Sequence, residues 1–230
     1  MSGGTPFGYP VDVTQPVTQA LASINGFYKI VYGYDATDAA DPWKVYAVQA
    51  PAWVNDLKTF EYAHSYWIST TAAITVYLQD VSPLPTVQAT ALPAPPATYY
   101  GAIVPGREFA PAPGMSVEAT IGGVACGRGV VEESAGTLVY VVDVVAAEQS
   151  NGCGAPGAIV HFSVAGKPMA TEAVWASDDI HAQPLQIDAS PGTLYLPALA
   201  NDARAMPTSP AVENERMPGA YSTYLPAVTR

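Results

Sequence analysis

Polarity in this 230-residue chain is carried by Thr, Ser, Gln and Asn, because 13% of its residues are charged and 49% are apolar, against ~25% charged in an ordinary soluble domain. Nine Lys plus Arg against 20 Asp plus Glu leave a formal charge of −11 with no basic cluster, which argues against nucleic acid and against an anionic membrane surface as partners. No apolar run approaches the ~20 residues of a membrane span, so no membrane insertion is expected of this chain.

The first segment opens on "VTQPVTQALASING". Thr14 is a candidate N-cap, Pro16 suits a first turn, and Val17, Leu21 and Ile24 recur at helical spacing before Asn25-Gly26 ends the run, which predicts one short helix. "FYKIVYGYDA", "WKVYAV", "HSYWIST" and "AITVYLQ" are predicted strands from their β-branched and aromatic content. Their imperfect alternation suits strands covered on both faces. Residues 82–97, "SPLPTVQATALPAPPA", hold five prolines and no charge, and are expected to form an extended linker.

Beyond the linker the pattern is all β: "TYYGAIV", "MSVEATIGGVA", "GTLVYVVDVV", "AIVHFSVAG", "MATEAVWAS" and "PLQIDA", punctuated by Gly, Pro, Asn and Asp. In the central strand Val139, Val141 and Asp143 share one face, and Tyr140, Val142 and Val144 share the other. Gly122-Gly123 predicts a two-residue hairpin turn. The two cysteines, Cys126 and Cys153, lie in this region without metal-type CxxC spacing, which favours a disulfide over zinc.

The expected fold is therefore mainly β. A small aromatic-rich α+β domain (1–81) with one short helix precedes the Pro-rich linker (82–97), an immunoglobulin-like or transthyretin-like β-sandwich (98–200) and a tail (201–230). Tyr-Leu-Pro-Ala occurs twice near the end, at 195–198 and 224–227. Tyr224, Leu225, Pro226 and Val228 form a candidate assembly strand, because a short β-prone segment can add to an open sheet edge.

Catalytic chemistry is not nominated. No G-x-S-x-G elbow exists, and His64 beside Ser65, with Asp56 and Glu61 upstream, reads as turn structure rather than a nucleophile and its base. His161 reads as a strand residue and His181 as a turn residue. Asp35, Asp38, Asp41 and Asp178-Asp179 offer oxygens without matching a calcium loop, so no cofactor is assigned and structural calcium is the one option left. Trp43, Trp53 and Trp67 are candidates for stacking on a sugar ring, weighed against the core role that aromatics usually have in so small a domain.

Residues Ala20 to Ile24, Tyr34-Asp35, Trp43 to Tyr46, Pro51 to Leu57 ("PAWVNDL") and Tyr66 to Ile68 resemble, together, a module of secreted and surface proteins of filamentous bacteria. That module opens with a Trp-Asn-Leu-Val type strand where this chain has "TPFGYP", so the resemblance implies a domain lacking its first strand. Residues 100–104, 114–119, the hairpin at Cys126, 136–145 and "GCGAPGAIVHFSVAGKP" resemble transthyretin-like or carboxypeptidase-regulatory-like modules. "TYLPAVTR" resembles the Tyr-Leu-Pro tail of exported proteins of the same bacteria.

The resulting expectation is a non-catalytic extracellular or cell-surface structural or adhesive module. It would be a subunit of a surface fibre assembled by β-strand addition of its terminal segment, with copies of itself or other surface proteins as partners. The alternative is a carbohydrate-binding accessory module of a larger secreted hydrolase, with polysaccharide as partner.

Overall fold

A computed structural model describes residues 4–78, 80–82, 93–177 and 179–187, all within one compact unit, Met1–Pro191; a second unit, Gly192–Arg230, lies outside the described residues. The fold is mainly β, as the strand-forming runs predict, with one short α-helix among the described residues.

Four strands make the first sheet: β1 (Thr5–Gly8), β3 (Tyr28–Tyr34), β4 (Trp43–Ala47) and β6 (Ser65–Thr70), in the order β1-β6-β3-β4. Two-residue strands β2 (Gln15–Pro16) and β5 (Thr59–Phe60) pair separately. The helix α1 (Val17–Ala20) and a following 3-10 turn (Ala22–Ile24) bury Val17, Leu21 and Ile24, as their spacing predicts. Thr14 does not cap it: Gln15-Pro16 is pinned in a strand against β5, so the helix starts only after Pro16, with no side-chain cap.

Two strand expectations in this segment are corrected. Thr5–Gly8 of "TPFGYP" forms strand β1, antiparallel to β6, so the place of the first strand is filled. Residues 73–78 of "AITVYLQ" are not a strand. They find no ladder partner and are held instead by Ser23, whose Oγ accepts from the Tyr77 N–H at 3.2 Å and donates to the Tyr77 carbonyl at 3.3 Å.

The sheet is buried on both sides. Val31, Tyr66 and Ile68 pack under Tyr9, Leu21, Ile24 and Phe60, whereas Ile30, Tyr32, Trp43 and Val45 form another core with Tyr100, Val141, Val145 and Ile180. That explains the imperfect alternation, since a strand covered twice has little need for polar positions.

The larger sheet runs β12-β11-β8-β9-β10-β7-β13. Its strands are β7 (Ala97–Ala102), β8 (Ser116–Ile121), β9 (Val124–Ser134), β10 (Thr137–Val144), β11 (Ile159–Val164), β12 (Lys167–Val174) and β13 (Asp179–Ala182). Gly122 and Gly123 make the predicted β8–β9 turn at φ of 56° and 83°, the pair of positive angles that type I′ turns require. Strand β9 is longer than its glycines suggest. It pairs with β8 up to Val130 and with β10 from Val131, and a Cβ on Gly127 or Gly129 would strike the carbonyl oxygens of Asp143 or Val141. Glycine here permits close backbone approach rather than ending a strand.

As predicted, Tyr140, Val142 and Val144 enter the interior of this sheet with Tyr99, Val117, Val160, Phe162 and Trp175, while Val141 faces the first sheet. Cys126 and Cys153 form a disulfide, with Cα atoms 5.4 Å apart, tying β9 to the loop after β10. Residues 184–187 of "PLQIDA" are not a regular strand: Leu185 makes one parallel bridge to Ile103, and the strand beside β7 is β13. Of the linker, residues 83–92 lie outside the described residues, and Pro95 and Pro96 are buried.

Ala165 sits at φ 49° before Gly166 in the β11–β12 turn, where an L-residue other than Asn or Asp costs about 1–2 kcal/mol. Ala165→Asn is expected to stabilise the protein by about 0.5–1 kcal/mol, read as a rise in thermal midpoint by circular dichroism.

Candidate functional site

The "PAWVNDL" stretch turns back along the outer edge of β4 and closes it with side chains. The Val45 N–H donates to Asp56 Oδ1 at 2.6 Å and the Ala47 N–H to Asn55 Oδ1 at 2.8 Å; Asn55 Nδ2 donates to the Ala47 carbonyl at 3.2 Å. The Leu57 N–H donates to the Val45 carbonyl at 3.0 Å. Asn55 and Asp56 thus stand in for a neighbouring strand, and the unpaired groups that make an edge adhesive are satisfied here.

The same turn carries Trp53 and Val54 over the face of β9 and β10, leaving a cavity of about 290 Å³ whose polar wall holds Asp41, Asp56, Asp143, Arg128 and Glu132. Burial pushes the Asp56 carboxyl up to about 6, against the lowering effect of its bond from Val45. Asp143, recessed from β10, is pushed up to about 7 by burial, again opposed by a hydrogen bond from Thr98 and reinforced by the neighbouring charge of Asp56.

Thr98 is fully buried and links Asp143 to the first sheet. Its Oγ1 lies 3.1 Å from the Tyr32 hydroxyl, which donates to the Asp179 carbonyl at 3.1 Å. When Asp143 is protonated, each hydroxyl can both donate and accept: Asp143 to Thr98, Thr98 to Tyr32, Tyr32 to Asp179. When Asp143 is ionised, the Thr98 proton turns to the carboxylate and Tyr32 has one proton for two acceptors.

The sequence-predicted residues scatter. Trp43 is fully buried, its ring against Tyr32 and Tyr34 and its indole N–H on Gln149 at 3.2 Å. Trp53 lines the cavity and meets Tyr100 edge-on at 5.7 Å between ring centres. Trp67 packs beside the core between the sheets, its indole nitrogen without a partner among the described residues. Tyr224, Leu225, Pro226 and Val228 lie outside the described residues.

Asp35 accepts from the Thr37 N–H and hydroxyl, and Lys44 supplies the cation for its neighbours, with Nζ 3.1 Å from Asp38, 2.5 Å from Asp41 and 3.9 Å from Asp56. Among the described residues no cluster of three His, Cys, Asp or Glu is placed to hold a metal ion; Asp178 lies outside them. His64 is 63% exposed beside Glu61 at 3.6 Å, while Asp56 is turned to the β4 edge. His161 pairs with Glu172 at 3.2 Å. His181 belongs to strand β13 rather than a turn and stacks on Tyr99. The pairing of Asp56 with main chain depends on the reversal that returns residues 51–57 along β4, 11 residues from Val45, and the recess of Asp143 on its packing against Thr98, 45 residues away, neither of which has a local sequence signal.

No family model, curated protein or solved structure matches this chain. Among the described residues no helix is long and apolar enough to cross a membrane, and the disulfide suits an oxidising compartment.

The raised carboxyls predict the pH dependence of stability. Unfolded Asp titrates near ~3.9, so between about 4 and about 7 the native state binds more protons than the unfolded chain and stability falls as pH rises. Asp143→Asn keeps the shape and a donor toward Thr98. Urea unfolding is expected to show it more stable than the parent by about 1–3 kcal/mol at pH 8, with a flatter slope between pH 4 and 7.

Proposed function

We propose that the protein is a non-catalytic extracellular structural or adhesive module, a subunit of a surface fibre joined by β-strand addition of its terminal segment. The observation that carries this reading is the closure of the β4 edge by Asn55 and Asp56: a fold that blocks one edge with dedicated side chains controls which edges can take a foreign strand. The disulfide of Cys126 and Cys153 and the sparse charge support an extracellular setting. The carboxyls of Asp56 and the recessed Asp143 are engaged in holding the Val45 N–H and the Thr98 hydroxyl, which fits structural rather than catalytic work.

A second reading has one observation in its favour. Trp53 borders a cavity with carboxylates and Arg128, and an aromatic face beside hydrogen-bonding groups suits a sugar ring, as in a carbohydrate-binding accessory module.

One experiment separates the two. Purified full chain is expected to give oligomers or filaments by gel filtration and electron microscopy that disappear when residues 219–230 are deleted. A monomer that ignores this deletion but binds a polysaccharide, and loses it with Trp53→Ala, would replace the first reading by the second.

A further inference from the structure

Strands β12 and β13 are the two ends of the larger sheet, and β12 meets the segment that follows β13. The Ala170 N–H donates to the Gln186 carbonyl at 2.8 Å, and Thr171 Oγ1 donates to the Pro184 carbonyl at 3.1 Å. Continued antiparallel, that pairing would set Glu172 opposite Pro184 and Val174 opposite Ala182. Pro184 has no N–H to give, and the seam parts there.

The alternation along each strand shows what is left open. Gln183 and Leu185 turn their main-chain groups to β7, so Ile180 and Ala182 turn theirs outward; Ala170 faces outward on β12, and so do Glu172 and Val174. Of these, the Ile180 N–H is taken by the Asp179 carboxylate and the Val174 carbonyl by the Tyr99 hydroxyl. For the Glu172 and Ala182 main-chain groups, no bond across the seam is made among the described residues.

Between the two edges lies a groove of about 490 Å³ lined by Tyr99, Ile159, Glu172, Val174, His181 and Gln183. Its apolar walls are unusually open, with Ile159 43% and Val174 55% exposed. His181 Nε2, buried in the groove, has no hydrogen-bond partner among the described residues and lies 3.8 Å from Asp179.

We propose that this half-open seam is the acceptor for Tyr224–Val228 of a second copy of the chain, the proposal resting on the strand-addition reading above. The described chain ends at Ile187, next to the closed end of the seam, and residues 188–230 follow it. Tyr224–Val228 is uncharged and at ~3.3 Å per residue spans about 16 Å, longer than the three-residue opening on each side. Alternation along the added strand puts Leu225 on the face of Ile159 and Val174 and puts Tyr224 and Val228 on the other, where the Tyr224 hydroxyl offers a partner to His181, and the N–H missing at Pro226 costs nothing where Tyr99 already fills the Val174 carbonyl. The long polar stretch between 199 and 223 gives the segment reach to a neighbour.

The test uses full-length chain carrying Leu225→p-benzoylphenylalanine, mixed as light and heavy isotope forms, illuminated and mapped by mass spectrometry. Cross-links between light and heavy chains at Ile159, Glu172 to Val174 or Ile180 to Ala182 are expected, and are expected to be lost with Val174→Asp, an exposed position. Cross-links confined to single chains would overturn the second-copy assignment. Links between copies at another surface would overturn the seam while leaving strand addition standing, and monomers with no link between copies would overturn both.

Discussion

A β-sheet must dispose of the main-chain groups along its edges, and in this protein that requirement shapes more of the structure than any titratable residue does. At β4 the disposal is by side chain: Asn55 and Asp56 reach back to Ala47 and Val45 in place of a strand. At the far end of the larger sheet it is by near-closure, with Ala170 meeting Gln186 and the ladder failing at Pro184. Turning back to guard β4 brings Trp53 and Asp56 over β10, so the edge device also builds the polar cavity between the sheets.

The joint between the sheets follows from that arrangement. Tyr32, Trp43 and Val45 make an apolar contact with Tyr100, Val141 and Ile180 that would be indifferent to pH. Through its centre runs the chain of hydroxyls from Asp143 by way of Thr98 and Tyr32 to the Asp179 carbonyl, which adds direction to the contact and makes it sensitive to the proton on Asp143. Burial of such a group costs stability when it is charged, and its partners fix how the sheets meet.

Much of the fold was legible in the amino-acid order, and the reasons are specific. Strands such as β3, β7 and β10 are long β-branched and aromatic runs, and the two faces of β10 could be read because Tyr140, Val142 and Val144 alternate with Val139, Val141 and Asp143. The Gly122-Gly123 turn and the disulfide were readable for equally local reasons. What escaped was set by tertiary partners: Thr5–Gly8 is a strand because β6 offers an edge, and "AITVYLQ" is β-prone but unpaired because Ser23 clamps it. Nor does the local sequence show why Gly127 and Gly129 stand within β9: a Cβ at either would strike a β10 carbonyl oxygen. Of the site, the Trp-Val-Asn-Asp-Leu stretch stood out as a motif, but its task as an edge guard appears only once β4 lies beside it.

The central claim is that side chains close the β4 edge while the β12–β13 seam is closed only at the Ala170 end. Amide hydrogen exchange of the full chain with residues 219–230 deleted, resolved by residue, tests it most directly. The account predicts strong protection at Val45, Ala47 and Ala170, with Glu172 and Ala182 exchanging much faster than Ala170. Equal protection of Ala170, Glu172 and Ala182, or rapid exchange at Val45 and Ala47, would contradict it.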